Sequence, residues 1–428
     1  MLITVIDLKS QIHARLTGSL KSKILGKYFM HIALKIMLTT LVAFCIFGAG
    51  AGAGYAFRDY VVDDQPTDSE AQSLSLYWEV WHRVEEQFYG EVPGEPVSTY
   101  GAIKGALATL NDPYTLFIEP EPAADEKAQL EGQFGGIGAF IQRDEAGHAI
   151  LEPMPDQAAE KAGLVKGDIL VAVDGRPIAL EMSTEDIIKL IRGEVGTKVI
   201  LTVERAGTEE TLDITIERVV VETPSVQWRI LEEAPTIGYV QLTSFTERSN
   251  NELDRAFAEL SAQGAASYIL DLRGNGGGLL ETAVDVASQF LREGVVLRED
   301  RKNEGERVYD VRSGGKALDQ PLVLLVNGGT ASASEIVAGA LQDYKRATLI
   351  GEKTFGKGSV QLIYELSDAS RLHVTVAKWF TPHNNAIDGK GLTPDIEVLV
   401  TEEDRANNRD PQLERAISFL QNGETVVK

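Results

Sequence analysis

A short apolar run, residues 321–326 (PLVLLV), places the strongest constraint on how this chain folds. The run is too short for an ordinary helix and therefore predicts a buried strand. A turn of small residues follows (NGGTASAS), after which Ile336, Val337, Ala340 and Leu341 recur at helical spacing. A buried strand that enters a helix through such a turn presents a hydroxyl group at the helix N-terminus, where free N–H groups and the helix dipole favour an oxyanion.

The alternation of strand and helix also covers the segment before this run. Residues 236–242 and 267–272 are predicted strands, and residues 250–262 and 279–291 are predicted helices. Strands that alternate with helices at this spacing predict an α/β layer with right-handed crossovers. We therefore expect an α/β (α+β) core over residues 219–428.

Ser332 lies in the small-residue turn, and Lys357 follows 25 residues later between two glycines. A serine hydroxyl is a weak nucleophile unless a neighbouring group takes its proton, and a lysine can do so only when its amine is neutral. An apolar site lowers the pKa of a lysine because burial disfavours the charged form. Ser332 and Lys357 are therefore a candidate nucleophile and general base. Gln361, four residues after Lys357 on a predicted strand, is expected on the same face and would orient the amine. A helix-capping serine and a solvated lysine are the alternative interpretation of either residue alone.

The segments TASASEI and GKGSVQ, which contain these residues, together resemble the C-terminal processing peptidases, also called tail-specific proteases. The resemblance extends from about residue 77 to residue 420. It implies a serine endopeptidase in which Ser332 is the nucleophile, Lys357 is the general base and Gln361 is the partner of the lysine.

The resemblance also implies an oxyanion hole. One N–H group would come from Ala333, the residue after the nucleophile. The other would come from the glycine turn 273–278 (RGNGGG) and is assigned to Gly278, with its neighbours as alternatives. A helical region over residues 71–130 would support the core, and its segment LNDPYT (residues 110–115) matches the family's entry into its first domain.

Residues 131–218 resemble a PDZ domain through a glycine loop and the later pattern GLxxGDxLxxVDG. PDZ domains bind a chain terminus as an added strand, and N–H groups of a glycine loop hold its carboxylate. A glycine hairpin on a small β domain is the alternative. Arg192, at the end of the predicted flanking helix, is either a gating contact or an exposed helix-terminal arginine. The candidate tail-binding residues are Gly135, Gly136, Ile137, Gly138, Phe140, Ile187, Ile188 and Ile191.

The N-terminal region carries an export signal. Residues 1–35 contain six basic residues and one acidic residue, and residues 36–57 form 22 uncharged, mostly apolar positions. A segment of this length crosses a bilayer, and the basic side stays in the cytoplasm. We expect a cytoplasmic tail, a transmembrane anchor over 36–57 and a linker over 58–70, which place the catalytic part in the periplasm or cell envelope. A signal peptide cleaved near Ala51 or Ala53 is the competing interpretation.

Several other classes of protein fit the sequence less well. The net charge of −23 opposes nucleic-acid binding, and no HExxH motif or paired Cys/His spacing indicates a metal or cofactor. A Ser-His-Asp hydrolase would need His82, His373 or His383, of which His373 alternates with apolar residues on a predicted strand.

The function expected from the sequence is that of an exported serine endopeptidase. It would cleave proteins with exposed apolar C-termini through an acyl-enzyme. The alternative is a non-catalytic, membrane-tethered PDZ adaptor that binds protein C-termini. The sequence leaves a homodimer or an adaptor protein open.

Overall fold

The computed structural model describes residues 67–302 and 304–424. The expected tail, the expected anchor at residues 36–57 and most of the linker lie outside this range. Within the described residues, no helix combines the length and the apolar character that a membrane span requires.

The chain divides into two compact units, with the boundary between Gly94 and Glu95. The described part of the first unit consists of helices α1 (Asp68–Ser73) and α2 (Ser75–Gln87). Tyr77 and Trp81 stack one turn apart on α2, with ring centroids separated by 6.3 Å.

The second unit holds all the strands of the described chain and nine of its helices. In chain order the strands are β1 (Leu116–Ile118), β2 (Gln133–Gly136), β3 (Ala139–Arg143), β4 (Ala149–Pro153), β5 (Asp168–Val173), β6 (Arg176–Pro177), β7 (Lys198–Glu204), β8 (Leu212–Glu217), β9 (Val219–Glu222), β10 (Val226–Leu231), β11 (Ala234–Leu242), β12 (Ser267–Asp271), β13 (Val295–Arg301), β14 (Gly305–Asp310), β15 (Leu322–Val326), β16 (Thr348–Gly351), β17 (Ser359–Glu365), β18 (Arg371–Phe380) and β19 (Ile396–Glu397). The helices are α3 (Val97–Ala108), α4 (Pro120–Glu131), α5 (Ala158–Lys161), α6 (Thr184–Ile191), α7 (Ser249–Ala262), α8 (Leu280–Ser288), α9 (Ala333–Asp343), α10 (Glu402–Ala406) and α11 (Pro411–Gln421).

A six-stranded sheet in the order β10-β11-β12-β15-β16-β19 forms the centre of the core. All its pairs are parallel except β10 with β11. Side chains of β15 alternate between two apolar clusters, with Leu322, Leu324 and Val326 on one face and Val323 and Leu325 on the other. The sheet is therefore covered on both faces, as expected for parallel strands, and the α/β prediction is confirmed.

A second, antiparallel sheet in the order β1-β18-β13-β14, with β17 also paired to β18, packs beside the first. Its strand β18 spans the residues predicted from the sequence, whereas β1 and the β13–β14 hairpin were not predicted. Trp379 of β18 is buried against the same apolar cluster as α8 and α9. Its indole Nε1 donates to the main-chain oxygen of Lys357 at 3.0 Å, which holds the lysine segment against this sheet.

The PDZ-like domain is a β sheet in the order β3-β4-β5-β7-β8 around its own apolar core. Its incoming strand β2 and outgoing strand β9 pair with each other as an antiparallel ribbon. The two connections of the domain to the core, β2 and β9, therefore run side by side. Within the domain, the buried carboxylate of Asp168 accepts a hydrogen bond from Arg205 Nη2 at 2.8 Å and another from the N–H of Val165.

Candidate active site

The loops that follow β12 and β15 lie side by side because these strands are adjacent and parallel. Asn275, in the glycine loop after β12, joins the two. Its main-chain oxygen accepts hydrogen bonds from the N–H of Ala331 at 3.0 Å and from the hydroxyl of Ser334 at 2.9 Å. Loops at the carboxyl ends of parallel strands are the usual place for a site in an α/β sheet.

Ser332 is the last residue before α9 and adopts φ 56° and ψ −118°. Positive φ is uncommon for a residue with a side chain, and strain of this kind often occurs at active sites. Ala333 is the first residue of α9, so its N–H has no acceptor within the helix. The turn therefore brings the Ser332 hydroxyl and the Ala333 N–H to one helix end.

The glycine loop packs closely against this turn. A Cβ atom on Gly277 would lie 2.9 Å from Cβ of Ser332, and a Cβ on Gly278 would lie 2.2 Å from the main-chain oxygen of Phe245. Gly277 and Gly278 have φ of 110° and 143°, so both distance and conformation require glycine. Phe245 pairs with the loop through the oxygen of Gly277 and the N–H of Leu279. That pairing leaves out the N–H of Gly278, for which the described residues provide no acceptor.

Arg273, at the start of the glycine loop, connects it to the rest of the core. Its Nε donates to Asp271 Oδ1 at 3.0 Å, and its two terminal nitrogens donate to Asp410, each at 2.8 Å. Burial alone would lower the pKa of Arg273, but the two carboxylates raise it above the usual arginine value. Asp410, the residue before α11, therefore anchors the base of the glycine loop.

Lys357 lies in the segment between β16 and β17, with its Nζ 4.8 Å from the ring centroid of Tyr114. Burial lowers the pKa of Lys357, and the negative charges of Asp112 and Glu126 oppose this shift without cancelling it. A lysine with a lowered pKa is neutral more often near neutral pH, as a general base must be.

Glu335 joins the segments that carry Ser332 and Lys357, the candidate dyad, and is fully buried. Its Oε2 accepts hydrogen bonds from the N–H of Ser332 at 3.0 Å and from the N–H of Lys357 at 2.9 Å. Its Oε1 accepts from the N–H of Gly356 at 2.8 Å and from the hydroxyl of Thr354 at 2.5 Å. A single carboxylate thus fixes the spacing of the serine and lysine main chains.

Gln361 lies at the site, but not for the reason predicted from the sequence. Lys357 precedes β17, and the pairing of β17 with β18 shifts register between Val360 and Gln361. Simple strand alternation therefore does not relate Lys357 to Gln361. The amide Nε2 of Gln361 donates to Ser359 at 2.8 Å and to Thr375 at 3.3 Å.

Ser332, Ala333, Lys357, Gln361 and Gly278 all line one cavity of about 240 Å³, here called the dyad cavity. Within the described residues, no hydrogen bond joins the Ser332 hydroxyl to the Lys357 amine. Ser332 and Lys357 are related by the shared cavity and by the Glu335 carboxylate, which accepts hydrogen bonds from both main chains. Such hydrogen bonds often form only when substrate binds.

A histidine and a glutamate also line the dyad cavity. His373 Nε2 lies 3.1 Å from Oε2 of Glu126, and Arg371 approaches the same oxygen at 3.4 Å. Burial alone would raise the pKa of Glu126, but its hydrogen bonds to His373 and Arg371 lower it. His373, whose position the sequence left open, therefore faces the site.

The PDZ-like domain has an apolar groove of about 620 Å³ between α6 and β3, here called the tail groove. Six of the candidate residues line it: Gly136, Ile137, Gly138, Phe140, Ile188 and Ile191. The other two do not. The oxygen of Gly135 accepts a hydrogen bond from the N–H of Gly193 at 3.1 Å, and Ile187 is fully buried in the domain core. The helix period explains the misplacement, because Ile187 and Ile188 point in directions about 100° apart.

Arg192 lies between the tail groove and a neighbouring cavity of about 630 Å³, the inner cavity, which reaches Gly276 and Gly278. Its guanidinium carbon lies 3.8 Å from the ring centroid of Phe134. Among the described residues, none forms a hydrogen bond with its buried Nε atom. The inner cavity also shares Glu126 and Leu130 with the dyad cavity. The inner cavity therefore lies between the tail groove and the dyad cavity and adjoins both.

Four residues that shape the site were not predicted from the sequence: Asp112, Tyr114, Glu126 and Glu335. Glu335 had a readable signal, because S-x-x-E before an apolar run is the pattern of a capping box. Asp112 and Tyr114 reach the site through the pairing of β1 with β18, and Glu126 through side-chain contacts of α4 with β18, for which the local sequence gives no signal.

Comparison with known proteins places the chain among peptidases. A profile described as "Peptidase family S41" matches residues 236–398, and a profile described as "PDZ domain" matches residues 150–205. The "Carboxy-terminal-processing protease" of Bartonella bacilliformis is 37% identical over 76% of this chain and 75% of its own length. The "Carboxyl-terminal-processing protease" of Synechocystis sp. is 36% identical over 81% of this chain and 82% of its own length. Among solved structures, the photosystem II D1 C-terminal processing protease is 35% identical, covers 76% of this chain and 88% of that chain, and has a TM-score of 0.43.

Proposed function

The chain belongs to peptidase family S41, as a serine endopeptidase of the carboxy-terminal processing type, and from this premise we propose how it cuts its substrates. Ser332 is the nucleophile, Lys357 is the general base, and the N–H groups of Gly278 and Ala333 form the oxyanion hole. The observation that carries this proposal is the Glu335 carboxylate, which accepts hydrogen bonds from the main chains of both dyad residues.

The reaction proceeds through an acyl-enzyme. Ser332 Oγ forms a bond to the scissile carbonyl carbon while its proton passes to Lys357 Nζ. The oxyanion accepts hydrogen bonds from Gly278 and Ala333, each contributing a few kcal/mol to stabilisation of the transition state. The C–N bond then breaks, and the leaving amine takes the proton from Lys357. A water molecule, deprotonated by Lys357, hydrolyses the ester and releases Ser332.

A Ser-His mechanism is the competing assignment, because His373 lines the same cavity and pairs with Glu126. The test is turnover of an unstructured reporter protein that ends in an apolar tail. We expect Ser332→Ala and Lys357→Met to abolish turnover and His373→Asn to keep most of it. Loss of turnover in His373→Asn with retention in Lys357→Met would overturn the dyad.

Substrate selection is assigned to the tail groove. Its apolar lining and the glycine loop at its end fit an extended peptide with an apolar C-terminal residue. The inner cavity adjoins both the groove and the dyad cavity, so a polypeptide bound by its tail has a path to Ser332. Mass spectrometry of the products from peptides that differ only at the last residue would test this assignment.

Arg192 is proposed as the gating contact between groove and core. Its position between two cavities and its unpartnered Nε support this role. A bound protein tail would reorient the guanidinium of Arg192 and thereby affect the conformation of the glycine loop at residues 273–278. We expect Arg192→Gln to uncouple turnover from tail identity, so that apolar and charged tails are cut at similar rates. Unchanged tail discrimination in this variant would contradict the role.

The location of the catalytic part is proposed from the sequence. The basic residues before position 36 and the uncharged stretch of 36–57 support export, with the segment kept as an anchor or cleaved near Ala51 or Ala53. Carbonate extraction of membranes distinguishes the two states, because only the anchored form stays in the pellet. Protection of the catalytic part from added protease in spheroplasts would argue against export.

A further inference from the structure

A third chain segment, residues 112–115 between α3 and β1, lies beside Lys357, behind the residues that line the dyad cavity. The pairing of β1 with β18 brings it there, since Leu116 lies opposite His373. The ring of Tyr114 from this segment faces the Lys357 amine. The hydroxyl of Thr115 accepts a hydrogen bond from the N–H of Thr375 at 3.1 Å. The segment is therefore attached to the strand that also carries the partner of Gln361.

The carboxylate of Asp112 organises this segment. It accepts hydrogen bonds from the hydroxyl of Thr115 at 2.6 Å and from the N–H of Tyr114 at 3.2 Å. Burial alone would raise the pKa of Asp112, but these hydrogen bonds lower it. Asp112 is therefore ionised at neutral pH and can only accept hydrogen bonds.

The charge on Asp112 determines the orientation of two further groups. The hydroxyl of Thr115 gives its single proton to Asp112, so its oxygen accepts from the N–H of Thr375 at 3.1 Å and holds that residue in place. The hydroxyl oxygen of Thr375 accepts from Gln361 Nε2 at 3.3 Å, and Gln361 Nε2 also donates to Ser359 at 2.8 Å. With the amide nitrogen held by two acceptors, the carbonyl oxygen Oε1 of Gln361 is the end that remains for an N–H donor, such as Lys357.

We propose that Asp112 and Thr375 are positioning residues for the dyad, through a relay in which Asp112 holds Thr375 by way of Thr115 and Thr375 orients the amide of Gln361 toward the Lys357 amine. The relay rests on the proposed role of Lys357 as the base. It holds the neutral amine with its lone pair toward Ser332, because the amine donates one of its protons to Gln361. Residues 112–115 thereby belong to the active site although they lie in the helical region of the sequence.

The charged and titratable groups around Lys357 allow the effect of replacing Asp112 to be distinguished from the effect of replacing Thr375. Asp112 and Glu126 are the carboxylates whose charge raises the pKa of Lys357, while Tyr114 and His373 also face it. Removal of the Asp112 charge therefore lowers the pKa of Lys357 further. Removal of the Thr375 hydroxyl leaves that charge in place and breaks only the relay.

The experiment compares Thr375→Val, Thr375→Ser and Asp112→Asn in steady-state turnover of the reporter across pH. We expect Thr375→Val to lower kcat about 10-fold, the loss expected from one oriented hydrogen bond, with KM unchanged. Thr375→Ser restores kcat because it keeps the hydroxyl. Asp112→Asn lowers kcat similarly and also moves the acidic limb of the kcat/KM profile to lower pH, whereas Thr375→Val leaves the limb in place.

A double-mutant cycle separates positioning from a structural role. In a Gln361→Ala background, Thr375→Val should have no further effect on kcat, because the relay acts through Gln361. Thr202→Val is the matched control, since Thr202 donates to Asp213 at 2.7 Å on β7, away from the tail groove, and should leave kcat unchanged. Unfolding temperatures of all variants exclude a global loss of structure.

The outcomes divide cleanly. Two results would overturn the relay and leave the dyad intact. The first is an additive effect of Thr375→Val on kcat in the Gln361→Ala background. The second is a wild-type kcat in Thr375→Val while Lys357→Met is inactive. Wild-type turnover by Lys357→Met overturns the proposed function itself. If Thr375→Val fails to fold, Asp112→Asn in the Gln361→Ala background provides the same test at the pH of maximal kcat, and a further fall in kcat there counts against the relay.

Discussion

Ser332 and Lys357 donate their main-chain N–H groups to the same atom, Oε2 of Glu335, at 3.0 and 2.9 Å. The residues are 25 positions apart in the chain, and a fully buried carboxylate sets the separation of their backbones. The separation therefore depends on one side chain that itself does not line the dyad cavity.

Glu335→Gln should impair both activity and stability. The amide keeps one acceptor oxygen but turns its NH₂ group toward at least one buried N–H donor, so at least one buried hydrogen bond is lost. We expect kcat to fall by about 10- to 100-fold and the free energy of unfolding to fall by about 1–3 kcal/mol. Steady-state kinetics and thermal unfolding measure the two effects. A variant with the full kcat would show that the dyad spacing does not depend on this carboxylate.

Turnover should rise with pH through the ionisation of Lys357. The base must be neutral, so kcat/KM is low while the amine is protonated and reaches a plateau when the proton is lost. Because burial lowers the pKa of Lys357, the midpoint should lie below the ordinary lysine value of about 10.4. The measurement is kcat/KM of the reporter at constant ionic strength. His373→Asn serves as the control, and a limb that disappears in this variant would assign the ionisation to the histidine.

Gly278→Ala should inactivate the enzyme. The new Cβ would lie 2.2 Å from the main-chain oxygen of Phe245, at a φ that side chains rarely adopt, so the loop must move. Displacing one oxyanion donor costs about 10²- to 10³-fold in kcat. Gly328→Ala is the matched control on the neighbouring turn, where a Cβ meets no atom closer than 4.0 Å, and it should keep near wild-type kcat. Equal activity of the two variants would remove Gly278 from the oxyanion hole.

Ile188→Asp should weaken recognition of protein tails without affecting the chemistry. Ile188 lines the tail groove, and burying an aliphatic side chain against a ligand is worth about 1.5–3 kcal/mol. We expect KM for the tail-bearing reporter to rise about 10- to 100-fold. Ile200→Asp is the control, because Ile200 is exposed on β7 of the same domain and does not line the groove. A similar rise in KM for both variants would point to a general loss of domain structure.

Local patterns of sequence were enough to predict the framework of the site. The apolar run before Ser332 forms β15, and the small-residue turn leads into α9, because burial and chain reversal are decided within a few residues. The resemblance to C-terminal processing peptidases and the PDZ assignment are confirmed by the comparisons. The roles of the dyad residues stay predictions.

The parts that could not be predicted depend on distant contacts. Strand alternation was wrong for Lys357 and Gln361 because β17 starts after the lysine and changes register before the glutamine. Tyr114 reaches Lys357 only through the pairing of β1 with β18, across more than 240 residues of chain. Likewise, the N–H of His383 and the side-chain amide of Asn385 donate hydrogen bonds to Asp343, contacts that no local sequence pattern predicts.

The bonds between Arg273 and Asp410 give the order of synthesis a physical meaning. The ribosome makes Ser332 and Lys357 well before it reaches Asp410 and α11. Until that helix emerges and docks, the arginine at the base of the glycine loop lacks one of its two anchors. The base of the glycine loop is therefore complete only after the chain has been synthesised past Asp410, 53 residues beyond Lys357.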